Sequence, residues 1–207
     1  MSLYIPRHFA SEDRSESLAL IASAPFATLV TVPADGGEAH ITHLPLLLDG
    51  ERLLGHMARA NPHWQAFAGG RTTAVFHGPH AYLSPRWYLD PAVNVPTWNF
   101  STVHVHGEPS LIEGAAEKLA ILDATSAAFE PAENPWTRQL SAAREQALLG
   151  AIVAFQLPLT RLDTKIKMSQ NKTPQERAQV ARLLRDSGDP LGAAVADVMN
   201  TVKSRDE

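Results

Sequence analysis

The 207-residue sequence contains no cysteine. Disulfides, thiolate metal sites and a cysteine nucleophile are therefore excluded, and any metal would need histidine and carboxylate ligands. The chain also lacks an uninterrupted apolar run of the roughly 18 residues that a membrane-spanning helix requires. Its first residues, "MSLYIPRHFA", lack the charged and then apolar pattern of a signal peptide. From these absences we expect a cytoplasmic protein without membrane association.

Positive charge is scarce in most of the chain. The 18 Lys and Arg residues are outnumbered by 22 Asp and Glu, giving a formal net charge of −4. The acidic excess lies in residues 1–160, whereas residues 161–207 carry more basic than acidic side chains. A net negative chain opposes sequence-independent attraction to nucleic acid. A cation in residues 1–160, such as Arg59, therefore stands out.

Three common catalytic or nucleotide-binding motifs are missing as well. The sequence has no G-x-S-x-G serine elbow, no G-x-G-x-x-G fingerprint and no phosphate-binding P-loop. Ser84 in "YLSPRW" has no identifiable base. A serine hydrolase and the two main nucleotide-binding folds are therefore disfavoured.

Six segments rich in β-branched and apolar residues predict strands, because turn signals such as "ADGGE" and "LDGE" separate them. They are residues 27–32, 40–48, 52–57, 72–78, 101–112 and 150–157. Six such runs predict an antiparallel barrel. We therefore expect a mostly β (α+β) protein with peripheral helices.

Helix signals surround these strands. Asp13, with Glu16 three residues later, predicts a capping box, and the apolar spacing of residues 115–129 predicts a helix packed on the barrel. Near the end, "TPQE" and "DPLG" each place a capping residue before a proline, which predicts a C-terminal helical hairpin. We expect a barrel domain at residues 1–160 and a helical extension at residues 161–207.

The stretch "RANPHW" combines a helix start with a cation. Asn61 is a favoured N-cap residue and Pro62 a favoured first helical residue. Free amides at such an end, together with Arg59 and His63, suit a phosphate dianion. An ordinary capped helix with a surface arginine is the competing interpretation.

Histidine pairs raise the question of a metal site. His104 and His106 share one face of a predicted strand, and Glu108 continues that face. Neighbouring side chains on one face of a strand are roughly 6–7 Å apart, too far for three of them to hold one ion. We therefore predict no metal site, with a histidine-rich metal or haem protein as an alternative.

A long aromatic connection spans residues 81–100. It contains Trp87, Trp98 and three prolines, which stiffen it. Exposed tryptophans are costly unless something covers them. The segment therefore suits a lid over a planar ligand or a subunit contact, and structural cover for the barrel end is the simpler alternative.

Several ordered motifs resemble the PaiB-like FMN-binding regulators, whose fold resembles that of the split-barrel flavoproteins. The matching segments are "YIPRHF", "THLPL", "GHMARANPHW", "GPHAYLSPRWY", "VPTWNFSTVHVHG" and "KMSQNK". The resemblance implies a six-stranded antiparallel split barrel of the FMN-binding type. It also implies a homodimer with each FMN at the subunit interface.

The resemblance also implies a set of cofactor-binding residues. Along the isoalloxazine edge it places Thr42, His43 and Leu44. Around the ring, ribityl chain and phosphate it places His56, Met57, Ala58, Arg59, Asn61 and His63. Lys167 and Asn171 would close the site, and Trp98 and Asn99 would approach from the partner chain.

Three functions remain open at this point. Members of the resembled family are named negative transcriptional regulators, whereas its fold relatives include flavin-dependent oxidoreductases, in which the cofactor supplies the reactive atom. A DNA-binding repressor would use the basic residues of the terminal helices: Lys172, Arg177, Arg182 and Arg185. The acidic chain makes a regulatory protein partner an alternative to DNA. The third function is the metal or haem protein.

Overall fold

The computed structural model describes residues 3–202. Within them lie five α-helices: α1 (Arg14–Ser23), α2 (Ala115–Phe129), α3 (Ala142–Gly150), α4 (Pro174–Asp186) and α5 (Pro190–Thr201). Nine strands complete the regular structure: β1 (Phe26–Val32), β2 (His40–Pro45), β3 (Leu47–Asp49), β4 (Arg52–Ala58), β5 (Arg71–Leu83), β6 (Thr97–Gly107), β7 (Ser110–Ile112), β8 (Ile152–Pro158) and β9 (Arg161–Lys167). Short 3₁₀ helices occupy Arg7–Phe9, Pro62–Phe67, Pro85–Trp87 and Pro91–Val93.

The strands form two antiparallel sheets and no closed barrel within residues 3–202. Their orders are β2-β1-β5-β6-β9 and β3-β4-β8-β7. The expected mostly β architecture is confirmed, but the expected count of six strands is wrong. Two of the predicted runs each divide into two strands, at Leu46 and near Glu108, and β9 was not predicted at all. Its sequence "RLDTKIK" has too little apolar content to signal a strand.

The chain divides into two compact units. The central unit comprises Pro25–Val75 and Val105–Leu162, and the terminal unit comprises residues 3–24, 76–104 and 163–202. The expected division at residue 160 stays a prediction, and its ends at residues 1–2 and 203–207 lie outside the described residues.

In the central unit, β1 pairs with β2 on one side and with the first residues of β5 on the other. The four-stranded sheet β3-β4-β8-β7 lies in the same unit, with β4 and β8 paired along their whole length. Leu29, Leu53, Phe155 and Leu157 are fully buried there. Gly55 lies beneath Leu46 and Phe155, whose side chains occupy the space that a Cβ would need.

In the terminal unit, α4 and α5 pack on a core formed by the end of β5, β9 and the residues after it. This core contains Leu83, Met168, Val180, Val195 and Met199, each at most 2% exposed. A second contact comes from α1, where Ser17 hydrogen-bonds Thr164 on β9 with 2.7 Å between the hydroxyl oxygens.

Helix starts follow their local signals closely. Thr173 and Glu176 form the predicted capping box of α4, and Asp189 caps α5. Asp13 caps α1 as expected, but its capping box is wrong, because the Glu16 carboxylate accepts a hydrogen bond from Ser11. The helix predicted at residues 115–129 is confirmed as α2, whereas α3 was not predicted.

Gly70 offers a test of packing beside the candidate site. A Cβ there would lie 2.1 Å from the Ala66 carbonyl oxygen and 2.9 Å from the Thr31 methyl group. We expect Gly70→Ala to lower the free energy of unfolding by roughly 1–3 kcal/mol, because backbone must move. Gly150→Ala is the control, since among residues 3–202 no atom outside its chain neighbours and its own helix backbone lies within 4 Å of the place that a Cβ would take there. Urea denaturation of both variants measures the difference, and equal stabilities would contradict the prediction.

Candidate functional site

A chain of hydrogen bonds joins β2 to the 3₁₀ helix that follows β4. Thr42 Oγ1 accepts from Asn61 Nδ2 at 3.0 Å and lies 2.7 Å from His63 Nδ1. His63 Nε2 lies 2.8 Å from Thr31 Oγ1, which is 2.8 Å from Thr72 Oγ1. Two of the segments assigned to the flavin by resemblance, "ITHLP" and "MARANPH", are therefore brought into direct contact.

The helix start itself is confirmed. Asn61 is the N-cap of the 3₁₀ helix Pro62–Phe67, and its side-chain oxygen accepts from the His63 amide at 3.0 Å. The Asn61 amide nitrogen is used at the same time for Thr42. Asn61 thereby fixes the helix start to the β2 strand through both ends of its side chain.

His63 is neutral and fully engaged. It is 1% exposed, and burial together with the neighbouring His40 lowers its pKa to about 4. We assign the tautomer in which Nε2–H donates to Thr31 and Nδ1 accepts from Thr42, because each hydroxyl then donates once along the chain. His63 therefore positions the helix start in its neutral form, and its contact with a phosphate stays a prediction.

Arg59 is exposed but holds two carbonyl oxygens at the end of α3. Its Nε donates to the Gly150 oxygen at 2.8 Å and its Nη2 to the Ile152 oxygen at 3.0 Å. The Arg59 backbone also donates to Ala151 and accepts from the Trp64 indole. Its guanidinium is therefore largely committed to the protein, and the phosphate contact stays a prediction.

Strand alternation separates the other expected residues of the central unit. Thr42 lies on the face of β2 that meets His63, whereas His43 lies on the opposite, exposed face, 3.1 Å from Thr28 Oγ1. Leu44 and Met57 are buried core residues, 4% and 5% exposed. Their side chains serve packing, so they can contact a ligand only through the backbone.

His56 faces away from Met57 on β4. It lines a groove of about 330 Å³ with apolar residues of α2 and α3, among them Leu119, Leu122 and Leu148. Burial there lowers the pKa of His56. The structure therefore places His56 outside the Thr42–His63 cluster, while Ala58 ends β4 in an exposed position next to Arg59.

The terminal unit holds the remaining four expected residues. Asn99 is fully buried and exchanges hydrogen bonds with Ser169, so its side chain supports the unit, and its contact with a flavin stays a prediction. Trp98 is 53% exposed, with the His80 and Tyr82 rings each 6.2 Å away. Lys167 and Asn171 line a groove of about 240 Å³. Trp98 alone of the pair 98–99 is placed to meet another molecule.

Within residues 3–202, no group of three or more His, Asp or Glu residues lies close enough to hold a metal ion. His106 Nδ1 lies 2.9 Å from Thr73 Oγ1. The His106 side chain therefore hydrogen-bonds the Thr73 hydroxyl within the sheet. No helix in the described part of the chain has the length and apolar character needed to cross a membrane.

The basic residues expected to contact DNA are mostly engaged inside the terminal unit. Arg177 is buried and donates to the Met199 and Val202 carbonyl oxygens. Arg185 pairs with Asp197 on α5, and Lys172 donates to Asn94. Arg182 is exposed on α4, so the four residues differ in how available they are, and a contact with DNA stays a prediction.

Sequence reasoning missed three residues of these sites. Thr31 and Thr72 complete the hydrogen-bond chain of His63, and Lys172, assigned above to DNA, lines the groove with Lys167. Alternation of "TLVTV" places Thr31 on the same face as Leu29, and this signal was available. The His63 contact depends on chain folding over about thirty residues and had no local signal.

Comparison with known proteins identifies relatives of the whole chain. A family model described as "Putative FMN-binding domain" matches residues 3–161. The chain is 32% identical over 206 residues to "Protease synthase and sporulation protein PAI 2" of Bacillus subtilis (strain 168), which covers 95% of this chain and 96% of that protein. The family match contains every expected site residue of the central unit.

Solved structures of the same fold are more distant in sequence. The flavocytochrome Anf3 from Azotobacter vinelandii has a TM-score of 0.64 at 18% identity, covering 79% of this chain and 72% of that chain. The FAD and heme binding protein from Mycobacterium smegmatis has a TM-score of 0.63 at 18% identity, covering 86% and 80%. At this identity the likeness establishes the fold alone.

The buried neutral His63 predicts a pH dependence of stability. Its folded pKa lies below the ordinary 6.5, so the unfolded chain binds more protons between about pH 4 and 6.5. The stability that neutral His63 contributes is complete above about pH 6.5 and is lost as the pH falls towards 4. We expect His63→Gln to flatten this slope in urea denaturation. An NMR titration that gives the His63 imidazole a pKa near 6.5 would contradict the prediction that His63 is buried in its neutral form.

Proposed function

We propose that this chain, which belongs to the PaiB-like FMN-binding family whose model it matches, is a regulator that binds its FMN at the interface of a homodimer. FMN is the cofactor of the family. The position of the flavin, the dimer and the regulatory role are the proposed parts. The observation that carries the proposal is the hydrogen-bonded contact between Thr42 on β2 and Asn61 and His63 after β4.

The edge of β2 is the proposed seat of the isoalloxazine ring. β2 is the first strand of its sheet and pairs only with β1 within residues 3–202, so its outer backbone groups face no strand. An edge strand presents free N–H and C=O groups, which suit the donors and acceptors of a flavin pyrimidine ring. Thr42, His43 and Leu44 would contact the ring through this backbone, with Ala58, Arg59 and Asn61 beside them.

Dimerisation is proposed through the exposed face of β1, β2 and the start of β5. This open face consists of Phe26, Thr28, Val30, Ile41, His43, Thr73 and Val75, as the strand registers show. Phe26 is 65% exposed and Ile41 62% exposed. A flat apolar sheet face of this kind is usually covered by another protein surface. Trp98, which is 53% exposed, is proposed to contact the flavin of the partner protomer.

The regulatory role is proposed to act through a protein partner or through the redox state of the flavin. The relative in Bacillus subtilis carries a name that refers to protease synthesis and sporulation. The net charge of −4 and the engaged basic residues of α4 oppose direct binding to DNA. A flavin-dependent reductase remains an alternative without an observation that favours it.

The first prediction concerns the cofactor. We expect the purified protein to carry FMN, identified by chromatography after denaturation. Thr42→Val should weaken FMN binding roughly tenfold, because it removes the hydroxyl that orders Asn61 and His63, and a net hydrogen bond is worth about 1 kcal/mol. Thr42→Ser keeps the hydroxyl and is the control. Equal dissociation constants for the two variants would count against the proposed site.

The second prediction concerns the dimer. Light scattering should show a dimer for the unmodified chain and a monomer for Ile41→Glu, because two carboxylates would face each other or be buried at the axis. Leu191→Glu, at a position on α5 that is 47% exposed, is the matched control and should remain dimeric. A dimeric Ile41→Glu protein at the same concentration would refute the open face as the interface.

A further inference from the structure

The groove beside β9 in the terminal unit carries an unbalanced positive charge. It has a volume of about 240 Å³, and the polar residues that line it include His8, Asn94, Thr97, Lys167, Asn171 and Lys172. We infer that this groove is a binding pocket for a phosphomonoester, the dianionic group at the end of FMN or of another phosphorylated small molecule. Where FMN is the source, the inference rests on the proposed function.

Neither lysine of the groove has a carboxylate within 4.0 Å among the residues that the structure describes. A third ammonium, that of Lys165, is close enough to act on Lys167. The carboxylate of Glu176 acts electrostatically on Tyr88 in the groove wall. This carboxylate already accepts from Thr173 in the capping box of α4. The groove therefore lacks a counter-ion of its own.

Lys167 shows the cost of this imbalance. Burial, and then the repulsion of Lys165, lower the pKa of its ammonium. Its Nζ donates to Thr97 Oγ1 at 2.6 Å and to the Trp98 carbonyl oxygen, which leaves the third hydrogen for another acceptor. An anion in the groove would remove the electrostatic penalty and accept that hydrogen.

Lys172 approaches the same groove from the turn after β9. Its Nζ donates to Asn94 Oδ1 at 2.6 Å and lies 5.2 Å from the centre of the Tyr88 ring. Asn94 accepts one of the three ammonium hydrogens, and the Tyr88 ring faces the charge without accepting a hydrogen bond. Two hydrogens therefore remain for a ligand. Lys172 and Lys167 thus offer three open donors on two cations, a number that suits the three terminal oxygens of a phosphomonoester.

The turn that carries these residues is held rigidly. The Gln170 side chain accepts from the Met168 amide at 2.7 Å and donates to the Ile166 carbonyl oxygen at 2.5 Å. Ser169, at a φ of 60°, is bonded to the fully buried Asn99. Because the turn is fixed, both cations are organised before a ligand arrives, which lowers the entropy cost of binding.

The groove walls set the class of ligand. Phe9, Tyr88, Val93 and Val95 line it beside the lysines, so an organic group attached to the phosphate would meet apolar side chains. Arg59 in the central unit, the other candidate for the phosphate, already donates to the Gly150 and Ile152 carbonyl oxygens. The two lysines of the groove therefore have more hydrogen-bond donors open to a dianion than Arg59 has.

Calorimetric titrations of the full chain test the inference. The ligands are FMN, riboflavin and inorganic phosphate, and the proteins are the unmodified chain, Lys172→Met, Lys167→Met, Arg59→Met and Arg182→Met. Arg182→Met removes an exposed charge of α4 and is the control. We expect both lysine variants to lose about tenfold or more in affinity for the phosphate group, since each removes charge-assisted contacts, and the control to lose none.

The two sources of phosphate give different results. If FMN is the ligand, the preference for FMN over riboflavin collapses in the lysine variants. If a separate phosphorylated molecule is the ligand, that preference is retained while binding of inorganic phosphate is lost. Either result supports the pocket.

The inference is overturned if Lys172→Met changes neither the preference for FMN over riboflavin nor the affinity for inorganic phosphate. It is also overturned if Arg59→Met alone abolishes the preference for FMN. Lys172→Met decides the matter should Lys167→Met fail to fold. A protein that binds phosphate in this groove but no flavin would refute the proposed function and leave the pocket standing.

Discussion

The hydrogen bond between Thr42 and His63 is the contact on which the candidate site depends. It is the point where an edge strand, a helix start and a buried threonine pair meet, and His63 is 1% exposed there. A buried polar chain is stable only when each member has its partner, since an unmet group costs about 1–3 kcal/mol. The position of the helix start relative to the edge of β2 therefore depends on this satisfied imidazole and on the Asn61–Thr42 hydrogen bond beside it.

Local signals predicted what local physics decides. Thr173 and Glu176 cap α4 because the partners they need lie within one helical turn, and the Asn61 side-chain oxygen caps the helix after β4 in the same way. The predicted number of strands was wrong for two reasons. One apolar run contains a break between two strands, as at Leu46, and β9 has too few apolar residues to be recognised as a strand. Pairing with a neighbouring strand, which no local pattern reports, stabilises such a segment.

For the site, resemblance named the segments "ITHLP" and "MARANPH", which lie in contact, but it could not assign side chains within them. Thr42 and His43 point to opposite faces of β2, as His56 and Met57 do on β4, and strand alternation alone predicts that split. The engagement of Arg59 was beyond prediction, because its acceptors Gly150 and Ile152 lie some 90 residues away in the sequence.

Charge is used differently by the two units, and this difference bears on what the protein recognises. The central unit commits Arg59 to carbonyl oxygens, whereas the terminal unit leaves Lys167 and Lys172 without a carboxylate partner among residues 3–202. Screening at physiological salt limits exposed charges to about 8 Å, so the local lysine pair and not the net charge governs a small ligand in the groove. A long polyanion would instead meet the acidic surface as well. The arrangement therefore favours the proposed small phosphorylated ligand over nucleic acid, and the proposed regulation would need no contact with DNA if it passed through such a molecule.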